Sequence, residues 1–225
     1  MKKISLTKMI ILGLILGMIA GVAINNMAAA ETAKSYAADI SIFTTIFLRM
    51  VKMIIAPLVI STLVVGIAKM GDAKTVGRIG GKTMAYYLGT TAFAIVLGIF
   101  LGTVLEPGAG VNMPGEGVKA AAKAAPPIMQ VIIDIFPTNA MEAMLKANML
   151  QIIVFSLFMG IGITAVGDRA KTLYNVFDGL AEVSYKIVGF IMNVAPIGVF
   201  GLITPVVAAN GPAVLLPLLK VVIAV

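Results

Sequence analysis

The stretch Phe47 to Gly66, FLRMVKMIIAPLVISTLVVG, constrains this chain more than any other. It sets Arg49 and Lys52 beside a long apolar run, puts Pro57 inside what reads as a helix, and adds the hydroxyl pair Ser61 and Thr62. In water, a core helix loses a backbone hydrogen bond at an interior proline and pays heavily to bury two basic side chains. In a bilayer the same features agree with one another. The apolar length spans the hydrocarbon, the long basic side chains snorkel to its edge, and neighbouring helices satisfy the carbonyl that proline leaves open.

Composition points the same way. Hydrophobic residues make up 60% and charged residues 12% of the chain, against roughly 45–50% and 25% in a soluble domain. This is the composition of an integral membrane protein. The chain has neither histidine nor cysteine, which excludes disulfides, thiol nucleophiles, imidazole bases and thiolate or imidazole zinc sites. The net charge of +7 says less than where the charges lie.

Apolar runs bounded by charges and Gly/Pro clusters predict membrane segments near Met9–Met27, Ile40–Ala68 and Thr83–Leu105. A broken region over Ile128–Val166, a segment over Leu180–Ala209 and the start of a sixth at Pro212 follow. With the N-terminus inside, the inner segments collect Lys2, Lys3, Lys8, Lys69, Lys74, Arg78, Lys82, Arg169 and Lys171, while the outer ones hold Lys34, Lys119 and Lys123. That asymmetry predicts the orientation. The Ile40–Ala68 run is longer than the roughly 30 Å of hydrocarbon requires at about 1.5 Å per residue, so it tilts, bends at Pro57 or protrudes. Arg49 and Lys52, three apart, read as snorkelling at the interface, with a crevice or subunit contact as the other reading.

The first thirty residues carry a second interpretation. Basic residues precede the run Met9–Ile24, and Ala28-Ala29-Ala30 offers a small-residue cleavage site, as in a secretory signal peptide. The run exceeds the usual apolar region of about 7–15 residues, however. Gly13, Gly17 and Gly21 also fall four apart, a small-residue stripe that lets another helix approach closely. A retained, packed helix is the preferred reading.

Further along, Gly71–Thr83 reads as a flexible basic loop. Its end, Gly80-Gly81-Lys82-Thr83, looks like the tail of a phosphate-binding loop, but that pattern needs glycine where Val76 stands. Tyr87, Thr90 and Thr91 are spaced i, i+3, i+4 and share a helix face, three hard hydroxyl oxygens suited to a small cation. Against this, interfacial tyrosines form aromatic belts and membrane threonines bond back to their own carbonyls. Glu106 to Pro127 reads as an external Gly/Pro-rich loop, and Pro137-Thr138-Asn139 breaks the fourth segment, which then needs cover from protein. Asp178, Glu182 and Lys186 read as an interfacial charged face rather than paired catalytic carboxylates, and Pro196 is expected to kink the fifth segment.

Several ordered stretches resemble one family: MVKMIIAPLVISTLVVGIA (Met50–Ala68), GRIGGKTMAYYLGTTAFAIVLGI (Gly77–Ile99), EPGAGV (Glu106–Val111), DIFPTN (Asp134–Asn139), NMLQIIVFSLFMGIGI (Asn148–Ile163) and APIGVF (Ala195–Phe200). They are similar to the dicarboxylate/amino acid:cation symporters, which include bacterial glutamate and C4-dicarboxylate carriers. The resemblance implies an all-α, polytopic transmembrane protein, the N-terminal part of a glutamate-transporter-homologue elevator fold, working as a homotrimer in the cell inner membrane among lipid. It implies a small anionic substrate, an acidic amino acid or dicarboxylate, with Na⁺ or H⁺ as coupling ion and no nucleic acid. Tyr87, Thr90 and Thr91 match family positions that help coordinate a coupling cation, and so form a partial site.

By position, 1–82 is expected to hold scaffold helices, 83–105 a transport-domain helix, 106–127 the external loop, 128–211 further scaffold and 212–225 the start of a sixth helix. The family's re-entrant hairpins and seventh- and eighth-helix motifs are absent from these residues, so no substrate-binding residue is expected within them. Residues 1–225 alone are expected not to transport. A shortened scaffold protein that assembles with full-length subunits is the alternative expectation. A channel would need a polar pore stripe, and an enzyme a nucleophile–base or metal constellation; the sequence offers neither.

Overall fold

A computed structural model describes residues 5–27, 30–106 and 127–224. The expectations placed on Lys2, Lys3, Ala28, Ala29, the 107–126 stretch with Lys119 and Lys123, and Val225 lie outside them. Among the described residues the chain is helical throughout: α1 (Leu6–Met27), α2 (Ala30–Ala68), α3 (Ala73–Leu105), α4 (Ile128–Asp134), α5 (Ala140–Leu145), α6 (Met149–Val166), α7 (Lys171–Asn210) and α8 (Leu215–Ala224). Short 3-10 turns precede α7 and α8. Among the described residues, four apolar helical stretches are long enough to cross a membrane: Leu6–Asn26, Ser35–Ala68, Lys74–Leu105 and Met149–Asn210, the last joining α6 to α7.

One expectation is corrected here. Gly71–Thr83 is not a loop, because α3 begins at Ala73. The turn is confined to Gly71, whose φ of +81° favours glycine, and to Asp72. The Asp72 carboxylate accepts from the Thr75 backbone N–H at 2.5 Å and from the Thr75 hydroxyl at 2.8 Å, which satisfies the start of the helix. Gly77, Gly80 and Gly81 then sit inside α3, as glycines often do in membrane helices. Likewise α2 contains Pro57, and α7 runs on through both Pro196 and Pro205.

The chain divides into two compact units. The first takes in Met1–Val51, Gly89–Met113 and Gly189–Val225. Here α1 lies against α7 through its glycine stripe. A Cβ on Gly13 would overlap the Pro196 carbonyl, one on Gly17 would overlap Ile203 and lie 3.0 Å from the Phe200 oxygen, and one on Gly21 would lie 2.6 Å from Val207 Cβ. Hydrogen bonds tie the same contact. Thr204 Oγ1 donates to the Gly17 carbonyl at 3.2 Å, and Asn25 Nδ2 to the Ala208 carbonyl at 2.8 Å. The early part of α2 meets α7 where Gly198 faces the Phe47 ring and Gly201 faces Ile40 and Thr44.

The second unit takes in Lys52–Leu88 and Pro114–Val188. Its core is built from Ile60, Ala143 and Ile152 in one cluster and Val64, Ile163 and Ala170 in another, with Phe177 packed against both. Gly160 lets α6 approach α2, since a Cβ there would lie 2.7 Å from Ile67 Cβ and 3.1 Å from the Val64 oxygen. Buried hydroxyls bond back along their own helices, Ser61 to the Pro57 carbonyl and Ser156 to the Ile152 carbonyl, each at 2.7 Å. The break after α4 falls where expected. Asn139 Oδ1 accepts from the N–H groups of Met141 at 2.9 Å and Glu142 at 3.4 Å and so starts α5.

Candidate functional site

Helix α3 differs from every other long helix in the chain. From Gly77 to Phe100 each of its residues is exposed, and none of Gly77, Gly80, Gly81, Gly89 and Gly98 would meet a described atom within 4 Å if it carried a Cβ. Such an apolar helix, with Phe93, Val96 and Phe100 all more than 60% exposed, exceeds the apolar surface that a folded chain leaves uncovered in water.

Tyr87, Thr90 and Thr91 all lie on this helix and all are exposed. Because α3 is unbroken through them, their spacing keeps the three hydroxyls on one face. Chemically they are neutral, hard oxygen donors without a carboxylate. They suit a small monovalent cation better than a divalent ion, and three of them fall short of the six to eight oxygens that a hard divalent cation such as calcium collects. Among the described residues no group of three or more acidic, histidine or cysteine side chains stands ready to hold a metal.

The start of α3 is anchored in the second unit. Lys69, at the end of α2, lies 3.6 Å from the Asp178 carboxylate of α7. Its ammonium is held above the usual lysine range, first by Tyr174 and then by Asp178. Asp72 is held below the usual carboxylate range, first by the Thr75 N–H and then by the Thr75 hydroxyl, both of which favour the ionised form. Beside this turn, Gly71, Val76, Ile161, Thr164 and Ala165 line a cleft of about 200 Å³. Asp178, read from the sequence as part of a charged face with Glu182 and Lys186, pairs with Lys69, which no local spacing could reveal.

The sequence reading missed a polar cavity of about 330 Å³ lined by Asp134, Thr138, Asn139, Glu142, Lys146 and Gln151 among others. Gln151 Nε2 donates to the Asp134 carbonyl at 2.8 Å, and Lys146 pairs with Glu142 at 2.6 Å. The i, i+4 order of Glu142 and Lys146 was the available signal for that pair. Arg49 and Lys52 are both exposed.

The sequence profile of the sodium:dicarboxylate symporter family matches residues 6–225. The chain belongs to that family. It is 38% identical over 233 residues to a proton/sodium-glutamate symport protein of Geobacillus stearothermophilus, covering 100% of this chain and 54% of the relative. It is 42% identical over 191 residues to the proton/glutamate-aspartate symporter of Escherichia coli (strain K12), covering 80% and 44%. With a C4-dicarboxylate transport protein of Bacillus subtilis (strain 168) it shares 38% over 161 residues, covering 69% and 38%. The chain spans about half the length of the curated relatives it matches. The symporter family to which it belongs is one of transporters rather than enzymes.

Proposed function

We propose that these residues are the scaffold-bearing part of a secondary symporter for acidic amino acids or C4-dicarboxylates, driven by a Na⁺ or H⁺ gradient. The observation that carries this reading is α3: an apolar, uncovered helix with three hydroxyls on one face, in a chain that spans about half of relatives named for glutamate and dicarboxylate transport. Tyr87, Thr90 and Thr91 supply part of the coupling-cation site. The acidic substrate and the remaining cation ligands are held by residues that the relatives carry beyond this match.

In this reading, 1–82 and 128–211 form a static scaffold that makes homotrimer contacts, 83–105 moves with the substrate, and 212–225 opens a sixth helix. The protein sits in the cell inner membrane among lipid, multi-pass, with the N-terminus cytoplasmic. Residues 1–225 alone do not transport.

The test is uptake of labelled glutamate, aspartate and succinate into proteoliposomes holding either the full-length protein or residues 1–225, under an imposed Na⁺ or proton gradient. Gradient-driven accumulation by the full-length protein alone supports the proposal. Accumulation by residues 1–225, or none by the full-length protein with any of the three substrates, overturns it.

A further inference from the structure

We propose that the basic stripe Lys74, Arg78 and Lys82 on the opening turns of α3 is a docking surface for anionic phospholipid. The three residues are four apart, which puts them within one sector of the helix, and all are exposed. None of their side chains has an ion pair or hydrogen bond among the described residues, whereas Lys69 and Lys146 in the same unit are each paired with a carboxylate. The stripe is thus a run of positive charge whose side chains are unpaired.

Two local explanations for the stripe fail. Cations in the first turns of a helix stand at the wrong end of its dipole, and the carboxylate at that end, Asp72, is engaged by Thr75, so helix stability does not call for them. Packing does not call for them either. Val76, on the opposite face of α3, lines the cleft shared with Ile161 and Ala165, so the stripe faces away from α6. The helix's own first N–H groups play no part, because Asp72 already accepts from Thr75.

What lies along α3 beyond the stripe identifies the occupant. Within two turns of Lys82 the helix presents exposed apolar side chains, with Met84 63% and Leu88 65% exposed. A molecule seated here meets cations at one end and hydrocarbon-like surface at the other. A phospholipid with a net negative headgroup matches both, its phosphate at the basic stripe and its acyl chain along α3. A free phosphate would match only the first.

The experiment uses the full-length protein in mild detergent, titrated with phosphatidylglycerol or phosphatidylcholine, with bound lipid counted by native mass spectrometry. Parent protein is expected to prefer phosphatidylglycerol, and to lose that preference as salt is raised to about 0.5 M. Removing each charge is expected to weaken phosphatidylglycerol binding roughly fivefold, and K74Q/R78Q/K82Q on the order of a hundredfold. The charge-keeping K74R/K82R variant should bind as the parent does. Unchanged affinity in the triple variant, or equal binding of the two lipids by the parent, overturns the proposal. Displacement of phosphatidylglycerol by equimolar inorganic phosphate overturns the lipid assignment in favour of a free-anion site. If the triple variant does not fold, K82Q alone and the salt dependence of the parent decide the matter.

Discussion

Replacing Gly17 by alanine tests the account of how α1 is held. The added Cβ would overlap Ile203 Cγ2 and lie 3.0 Å from the Phe200 oxygen and 3.2 Å from Thr204 Oγ1. Ile203 is 8% exposed and Thr204 fully buried, so neither side chain has open space to enter, and α1 must back away. Overpacking of this kind costs about 1–3 kcal/mol. The retreat also stretches the 3.2 Å hydrogen bond from Thr204 to the Gly17 carbonyl, worth about 0.5–1.5 kcal/mol. Alanine's better helix propensity returns up to about 1 kcal/mol. The balance is a loss of about 0.5–3.5 kcal/mol, roughly 2- to 400-fold in the folding equilibrium.

Gly179→Ala in α7 is the control. Nothing lies within 4 Å of a Cβ there, so only the propensity gain remains and stability holds or rises. Thermal unfolding of the full-length protein, followed by far-ultraviolet circular dichroism, reads both variants. A Gly17→Ala melting temperature at or above the parent's would refute the packing argument. It would also fit removal of α1 from the mature protein as a signal peptide.

Two other substitutions probe the second unit. Ile152 is 1% exposed and packs in the cluster with Ile60 and Ala143, so Ile152→Ala should lower stability by about 2–5 kcal/mol, read as a loss in melting temperature several times that of Leu145→Ala on the exposed side of α5. At Asp72 the folded-state pKa lies below the ordinary value; its stabilisation is therefore present above the unfolded carboxylate range and is lost as pH falls through the folded value. The melting temperature of the parent should drop on acidification through that window, and in Asp72→Asn the drop should be smaller.

The sequence was most informative where membrane physics acts directly. The C-terminal limits of the apolar runs at Ala68, Leu105 and Val166 coincide with the ends of α2, α3 and α6, because charge, glycine or a polar turn stops both the hydrocarbon match and the helix. N-terminal limits were less legible. α2 starts at Ala30 rather than near Ile40, and α7 at Lys171 rather than near Leu180, because a helix continues into water once its polar residues can be solvated, and hydropathy does not register that extension. The same limit explains Gly71–Thr83, where basic residues and glycines resembled a loop although Asp72 caps a helix.

Local pattern also revealed the stripe of Gly13, Gly17 and Gly21, but not its partner. That α7 supplies Pro196, Ile203 and Val207 depends on residues some 180 positions away. The candidate cation site divides in the same manner. The spacing of Tyr87, Thr90 and Thr91 fixes a shared face on α3, whereas the ligands that would complete the site have no local signature in these residues. The pairing of Lys69 with Asp178 was hidden for the same reason.

The central claim is that α3 contributes hydroxyl ligands to the coupling cation of an acidic-substrate symporter. The most direct measurement is the initial rate of labelled substrate uptake against the concentration of the driving cation, in proteoliposomes of the full-length protein and of its Thr90→Val/Thr91→Val variant. Loss of hydrogen-bonding groups from a charged partner weakens it by roughly 10- to 100-fold, so the half-saturating cation concentration should rise by at least about tenfold. Gradient-driven uptake with the same cation dependence in both proteins would contradict the claim.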